Sequence, residues 1–241
     1  MSAPIRQITV SYKGSNHILS YRPSTSDFAV IQQVFENQDY NTDRLNRGKE
    51  LRTAYQDILK NDQTPAIIDL GANIGASSIY FHLMWPKAQV NAVEPAWDNF
   101  DLLKKNCATY PRIKATRAAA ASEDGYATIV DDCAEKWAYR TKFIEKEKSE
   151  LLALSVPSLM TSVNNAVPFI CKIDIEGAEA ELFSNYPDWV DLFPLLIVEL
   201  HDWLLPKKGS SQPFQRVHAE LDRDLILGGE NLFSISNTLV D

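Results

Sequence analysis

The chain has 241 residues, of which 45% are hydrophobic and 23% charged, and this composition excludes a disordered or fibrous protein. The formal net charge of −8 gives a surface that repels phosphate backbones and anionic lipids, so we expect neither nucleic acid nor a membrane as partner. The three cysteines, Cys107, Cys133 and Cys171, show no CxxC spacing, which predicts neither a disulfide framework nor a zinc site. The first residues lack the apolar stretch of a signal peptide, and we expect a cytoplasmic protein.

The first 62 residues are predicted to form an N-terminal elaboration. Apolar positions in residues 5–10 and 18–21 flank the turn sequence Lys-Gly-Ser-Asn, a pattern typical of a β-hairpin. Helical spacing follows from residue 27, and a second helix is predicted over residues 51–59.

Residues 63–241 are predicted to form an α/β core. Predicted strands cover residues 66–70, 90–93, 113–117, 169–173, 195–198 and 232–236; predicted helices cover 76–83, 97–106, a stretch through 182, and 217–227. Nearly continuous apolar strands separated by helices indicate a mostly parallel sheet with helices on both faces. An added β-segment over residues 125–130 and a solvated helix or lid over residues 131–150 interrupt this pattern.

A glycine-containing turn follows the first core strand. It contains Asp69, Gly71, Asn73 and Gly75, and the second core strand ends at Glu94. In an open α/β sheet this turn is the usual ligand site, and an acidic residue at the end of the second strand binds ribose hydroxyls. The G-x-x-x-G spacing and the preceding carboxylate disfavour a pyrophosphate. A cationic ligand with a ribose and no phosphate is S-adenosylmethionine, which we predict as the cofactor.

Two further motifs follow the fourth and fifth core strands. Lys172, Asp174 and Glu176 lie in the sequence K-I-D-I-E-G-A-E, and His201 lies in V-E-L-H. Several carboxylates at one strand end repel one another, and helix capping does not explain the whole set. Histidine has an ordinary pKa suited to proton transfer near neutral pH.

Together, the sequences I-D-L-G-A-N-I-G, V-E-P, K-I-D-I-E-G-A-E and V-E-L-H resemble the FkbM-type family of S-adenosylmethionine-dependent methyltransferases. The resemblance runs from about residue 28 to about residue 202, and its most specific part is K-x-D-x-E-G-x-E. It implies a Rossmann-like (class I) methyltransferase fold and O-methylation of hydroxyls on sugars or natural products. By motif position it implies cofactor contacts at Asp69, Gly71, Asn73, Gly75 and Glu94, and acceptor-side or catalytic roles for Lys172, Asp174, Glu176 and His201.

The leading hypothesis is therefore an O-methyltransferase for a small-molecule hydroxyl acceptor, with Asp174 or His201 as the general base. The alternatives are a nicotinamide-dependent oxidoreductase on a related fold and a non-catalytic S-adenosylmethionine-binding domain. Asp174, Glu199, His201 and Asp202 could also hold a divalent cation by ligand type, but we expect no metal in the mechanism.

Overall fold

A computed structural model describes residues 4–130, 140–144, 151–161, 165–184 and 187–239 of the chain. The strands are β1 (Arg6–Tyr12), β2 (Ser15–Tyr21), β3 (Thr64–Leu70), β4 (Gln89–Val93), β5 (Ile113–Thr116), β6 (Ala118–Ala121), β7 (Gly125–Val130), β8 (Arg140–Ile144), β9 (Leu151–Ser155), β10 (Ala166–Ile173), β11 (Leu195–Glu199), β12 (Arg223–Gly228) and β13 (Asn231–Ser236). The helices are α1 (Asp27–Gln32), α2 (Gly48–Lys60), α3 (Ala76–Met84), α4 (Trp97–Cys107), α5 (Val156–Thr161), α6 (Glu179–Leu182) and α7 (Gln212–Glu220).

Seven strands form the central sheet in the order β12-β13-β11-β10-β3-β4-β5. The pairs from β11 through β10, β3 and β4 to β5 are parallel, whereas β13 lies antiparallel between β11 and β12. Insertion of the last strand beside the fifth parallel strand is the arrangement of the Rossmann-like methyltransferase sheet. The expected α/β fold is confirmed.

Both faces of the sheet are buried, as the apolar strand sequences predict. Ile67 and Ile197 pack into one hydrophobic cluster with α2, α3 and α4, whereas Ile68 and Val198 pack into another with α5, α6 and α7. This division follows from the two-residue alternation of side chains along a strand. Because β3, β4, β10 and β11 are parallel, their carboxyl ends lie at the same edge of the sheet.

The N-terminal elements pack on this core. The β1–β2 hairpin forms as expected, and α1 continues into a π-helical turn, Gln33–Asn37. Val10, Leu19 and Ile31 belong to the same hydrophobic cluster as the central sheet. Asn106 binds the backbone of Ser20 through both its oxygen and its amide nitrogen. The boundary expected at residue 62 lies just before β3 and stays a prediction.

Two local predictions are wrong. Residues 217–227 do not form one helix, because α7 ends at Glu220 and β12 follows as the edge strand. Residues 140–144 form β8 in a second sheet, of order β6-β9-β7-β8, rather than a solvated helix. The other residues of the predicted lid, 131–139 and 145–150, lie outside the described residues.

Two further findings concern helices and cysteines. No helix among the described residues combines the length and apolar character needed to cross a bilayer. Cys107 and Cys171 are buried free thiols, and Cys133 lies outside the described residues.

Candidate active site

A cleft with two connected chambers lies at the carboxyl edge of the central sheet. The Glu94 chamber, of about 530 Å³, is lined by Glu94, Asn99, Ala118 and Ala120 among others. The His201 chamber, of about 1130 Å³, is lined by residues that include Tyr40, Glu199, His201 and Trp203. The two chambers share Gly71, Asn73, Asp174 and Glu176 in their walls. This is the edge where open α/β sheets bind ligands.

The two glycines of the turn have different roles. Gly71 has φ +76°, and a Cβ atom there would lie 1.7 Å from the backbone oxygen of Asp174. Gly75 has φ +90°, and its Cβ would lie 2.8 Å from Leu103 Cδ1 and 3.0 Å from Cys107 Sγ. Only glycine adopts such backbone angles without strain. Gly71 lines the cleft, but Gly75 lies against α4, so its predicted cofactor contact is corrected to a packing role.

Asp69 and Lys172 are buried charged residues at the ends of β3 and β10. Asp69 is fully buried, and its Oδ2 accepts hydrogen bonds from the hydroxyls of Ser77 and Ser78 at 2.7 and 2.5 Å. Lys172 Nζ lies 3.4 Å from Asp69 Oδ1 and donates to the backbone oxygen of Gly71 at 2.8 Å. These contacts correct the predicted cofactor contact of Asp69. The catalytic role predicted for Lys172, which lines the His201 chamber, stays a prediction. Both residues position the turn.

Glu94 occupies the expected ribose position at the end of β4. Its Oε2 accepts from the backbone N–H of Asn73 at 3.0 Å, and its Oε1 accepts from that of Ala96 at 2.9 Å. Asn99 Nδ2 lies 3.5 Å from the same Oε1. Burial raises the pKa of Glu94 to about 7 despite these hydrogen bonds. Additional hydrogen-bond donors from a ligand would therefore stabilise the ionised form of Glu94.

The Glu94 chamber fits S-adenosylmethionine. Gly71 keeps the floor free of side-chain atoms, and the buried Oδ1 of Asn73 has no hydrogen-bond partner. Glu94 would hold the ribose, and the small side chains of Ala118 and Ala120 leave room for a planar base. None of the described residues that line this chamber is Lys or Arg, so the chamber offers no cation to a pyrophosphate.

His201 is surrounded by carboxylates. Its Nδ1 lies 2.9 Å from Glu179 Oε1, and its Nε2 lies 3.4–3.6 Å from oxygens of Asp174, Glu176 and Glu199. Burial alone would lower the pKa of His201, but hydrogen bonds to Glu179 and Glu199 and the charge of Asp174 raise it to about 11. The raised pKa favours the protonated imidazolium, which offers no acceptor nitrogen. This environment does not favour His201 as the general base, and its role stays a prediction.

Glu176 has the properties of a base instead. It follows the turn after β10 with a left-handed φ of +54°, and its carboxylate lines both chambers. Burial and the charge of Asp174 raise the pKa of Glu176 to about 8. Its buried Oε2 has no hydrogen-bond partner. Asp174 is more constrained, because Lys172 Nζ lies 3.2 Å from one of its oxygens and His201 Nε2 lies 3.6 Å from the other.

The same cluster contains ligand types that suit a divalent cation. Asp174, Glu176 and His201 offer ligand atoms that all lie within 4.8 Å of one another. Asp202, a member of the set considered from sequence, instead accepts hydrogen bonds from Ser210 and Ser211. We expected no metal in the mechanism, and this stays a prediction.

Several residues of this site escaped prediction from sequence. Glu179 orients His201, and Asn99 connects Glu94 to the side chain of Arg22 through a 2.6 Å hydrogen bond. Two signals were available: Glu179 ends the K-x-D-x-E-G-x-E motif, and the four alanines of β6 leave space for a ligand because their side chains are small.

Comparisons with known proteins give distant relatives. Methyltransferase sdnD of Sordaria araneosa is 37% identical over 71 residues, which cover 29% of this chain and only 27% of that protein. Among solved structures, the SAH-bound methyltransferase PaMTH1 of Podospora anserina is 11% identical with a TM-score of 0.44, covering 89% of this chain and 86% of that one. The bifunctional kinase-methyltransferase WbdD is 14% identical with a TM-score of 0.42, covering 80% of this chain and 39% of that one. Structural likenesses this weak carry no further conclusion.

The family comparison is decisive. The model of the methyltransferase FkbM domain matches residues 69–223, well over half of the chain. This stretch begins at Asp69, near the end of β3, and includes β4, β10 and β11, whereas Tyr40 and Asn231 of the cleft wall lie outside it. The match overturns the alternative of a nicotinamide-dependent oxidoreductase and agrees with the fit of the Glu94 chamber. The chain belongs to the FkbM methyltransferase family, and S-adenosylmethionine is its cofactor.

Proposed function

We propose that this protein is an O-methyltransferase that acts on a hydroxyl of a small-molecule acceptor, either a sugar or another natural product such as a glycoside, polyketide or peptide. The observation that carries this proposal is Glu176, a carboxylate of raised pKa at the junction of the two chambers. An alkyl hydroxyl is a poor nucleophile, and a base whose pKa lies near the working pH assists its reaction most effectively.

The proposed reaction assigns one role to each chamber. Bound S-adenosylmethionine supplies a methyl group on cationic sulfur, and the S–C bond breaks as the acceptor oxygen forms the new O–C bond. The Glu176 carboxylate takes the hydroxyl proton, because Glu176 lines both chambers and its Oε2 has no hydrogen-bond partner within the described residues, with His201 Nε2 3.4 Å away. Glu94 and Asn73 hold the adenosine side, whereas the His201 chamber receives the acceptor.

Asp174, Lys172 and His201 position this reaction. Lys172 and His201 contact opposite oxygens of Asp174, which fixes the carboxylate beside Glu176. His201 also contacts Glu176 Oε2 at 3.4 Å, so the imidazolium holds the base towards the cleft. We assign Lys172 and His201 as positioning residues, and Asp174 as a wall residue that can contact the acceptor.

The N-terminal elaboration is proposed to exclude water from the acceptor. Val30, Val34 and Tyr40 line the His201 chamber from α1 and the turns that follow it. Their apolar surface lies opposite the carboxylates of β10 and β11. Holding oxygen, methyl carbon and sulfur in line in a dry site is an orientation effect, which contributes a large part of such rate enhancements. We propose residues 1–62 as this covering unit and residues 63–241 as the methyltransferase core.

Isotope transfer tests the proposal. The protein is incubated with trideuteromethyl S-adenosylmethionine and a panel of glycosides, polyketides and hydroxylated peptides, and products are identified by mass spectrometry and NMR. We expect a trideuteromethyl group on a hydroxyl oxygen, much reduced with Glu176→Gln and unchanged with Glu220→Gln, an exposed carboxylate on α7. Methylation of nitrogen, sulfur or carbon would contradict O-methylation. Cofactor binding without transfer to any panel member would favour a non-catalytic binding domain.

A further inference from the structure

The His201 chamber has far more negative than positive charge. Its walls include five acidic side chains, Asp39, Asp174, Glu176, Glu199 and Glu230, of which Glu176 has a pKa raised to about 8 and is mostly neutral at pH 7.5. The two cations among its described lining residues are Lys172 and His201, which are 2% and 1% exposed. Both are already paired with carboxylates of the wall. Negative charge therefore remains uncompensated in the space that the acceptor would fill.

This excess is clearest at the outer end of the chamber, formed by Asp39, Glu230 and Asn231. Asp39 follows the π-helical turn, Glu230 lies in the β12–β13 turn, and Asn231 begins β13 opposite Glu199. Burial first, and then the charge of Glu230, raise the pKa of Asp39, and the charge of Arg44 lowers it by less. Among the described residues, neither Asp39 nor Glu230 forms an ion pair within 4.0 Å.

Asn231 gives independent evidence for a ligand with hydrogen-bond donors. Its side chain is 4% exposed and lines the chamber, and its buried Oδ1 has no hydrogen-bond partner. Leaving a buried carbonyl oxygen unsatisfied costs about 1–3 kcal/mol, and native structures rarely tolerate this without a reason. All three side chains thus offer acceptor oxygens to one region.

An aromatic surface lies beside His201 in the wall of the same chamber. Trp203 lines the chamber, and its side chain is 60% exposed. The face of an indole ring attracts cations more strongly than any other aromatic side chain. A neutral sugar could donate hydroxyls to Asn231 and stack on Trp203. It would nevertheless leave the repulsion among the carboxylates unrelieved, whereas an ammonium group supplies both donors and charge.

We propose that the hydroxyl acceptor carries a protonated amine, as in an amino sugar or amino alcohol, whose ammonium group binds Asp39, Glu230 and the amide oxygen of Asn231. This inference rests on the proposed function of the cleft and specifies its substrate class. The ammonium would bind at the outer end, leaving the hydroxyl of the same molecule to approach Glu176.

Calorimetry on the protein saturated with S-adenosylhomocysteine tests this assignment. The probes are 2-aminocyclohexanol, ethanolamine and methyl glucosaminide, each compared at pH 7.5 with its N-acetyl derivative. Because hydrogen bonds to charged groups are the strong ones, we expect at least one amine to bind about tenfold or more tightly than its acetylated partner. Asp39→Asn and Glu230→Gln should each reduce that preference at least about threefold, whereas Glu220→Gln should not.

The outcomes separate this inference from the proposed function. Equal or tighter binding of the acetylated probes, or no detectable binding of any amine, would overturn the ammonium site while cofactor binding and isotope transfer still stand. Failure of S-adenosylhomocysteine to bind would instead remove the basis of both proposals. Titration with MgCl₂ tests whether the outer end of the chamber binds a metal ion instead of an ammonium group. If Mg²⁺ binds to the wild type and not to Asp39→Asn, this end is a metal site and the inference is overturned. Unchanged melting temperatures of the variants establish that they are folded, and Glu230 is exposed in a turn.

Discussion

Cofactor binding should depend on pH through Glu94. The pKa of this carboxyl is raised to about 7 by burial, and its ionised form accepts stronger hydrogen bonds from ribose hydroxyls than its protonated form. Above pH 7 the carboxylate is ready to accept them, whereas below pH 7 an added proton removes one acceptor site. Affinity should therefore be full at high pH and fall as the pH decreases through about 7.

The magnitude follows from the ionised fraction. With a pKa of about 7, Glu94 is about 90% ionised at pH 8 and about 10% ionised at pH 6. If binding requires the carboxylate, affinity falls about tenfold over this interval, equivalent to about 1.4 kcal/mol. S-adenosylhomocysteine is the suitable ligand, because its sulfur is neutral and its binding is therefore less sensitive to the ionisation of Glu176.

The assay is calorimetry with S-adenosylhomocysteine from pH 5.5 to 8.5 on the wild type, Glu94→Gln and Glu123→Gln, an exposed control. Glu94→Gln should bind about 1–3 kcal/mol more weakly at pH 8 and lose the pH dependence. Part of the loss of affinity would come from a disturbed turn, because the new amide nitrogen would face the backbone N–H of Asn73 or Ala96 in place of an acceptor oxygen. A flat wild-type profile, or the same slope in the variant, would refute the assignment of Glu94 to the ribose.

Three further predictions concern the turn, the buried lysine and metals. Gly71→Ala should not yield a stably folded protein in a thermal melt, because the new Cβ would lie 1.7 Å from the backbone oxygen of Asp174. The control is Gly14→Ala, which also has positive φ but lies in open space and should melt as a folded protein. A normal melt for Gly71→Ala would contradict this prediction. Lys172→Met leaves Asp69 buried without its cation, so urea denaturation should show a free energy of unfolding about 3–5 kcal/mol lower than that of the wild type. The control Lys60→Met removes one partner of an exposed ion pair and should lower it by less than about 0.5 kcal/mol. Equal losses in the two variants would refute the positioning role of Lys172. Methyl transfer should be indifferent to EDTA, whereas loss restored by Mg²⁺ would make Asp174, Glu176 and His201 metal ligands.

The sheet and its ligand edge were predictable because their signals are local. Apolar runs such as residues 66–70 and 195–198 mark strands buried on both faces, and the turn at Gly71 follows directly from the first of them. The end of α7 was not predicted, because Val217, Leu221 and Leu225 recur at helical spacing. In the structure Leu225 is instead an exposed residue of the edge strand.

The roles of the site residues depended on contacts between distant segments. Nothing near His201 in sequence shows that Glu179 and Asp174 surround it and raise its pKa. Likewise, the burial of Lys172 against Asp69 joins two strands about a hundred residues apart. Sequence motifs therefore located the cleft, whereas the choice of Glu176 over His201 as base required the three-dimensional arrangement of charges.

The pH dependence of kcat/KM for an acceptor found in the isotope panel tests the central claim most directly, namely that Glu176 is the base. Since the pKa of Glu176 is raised to about 8, the wild-type rate should rise with pH below about 8 and level off above it. Glu176→Gln should lower kcat about 10²–10⁴-fold and remove this limb, with affinity for S-adenosylhomocysteine nearly unchanged. A variant that keeps the wild-type limb and a near-normal kcat would contradict the account.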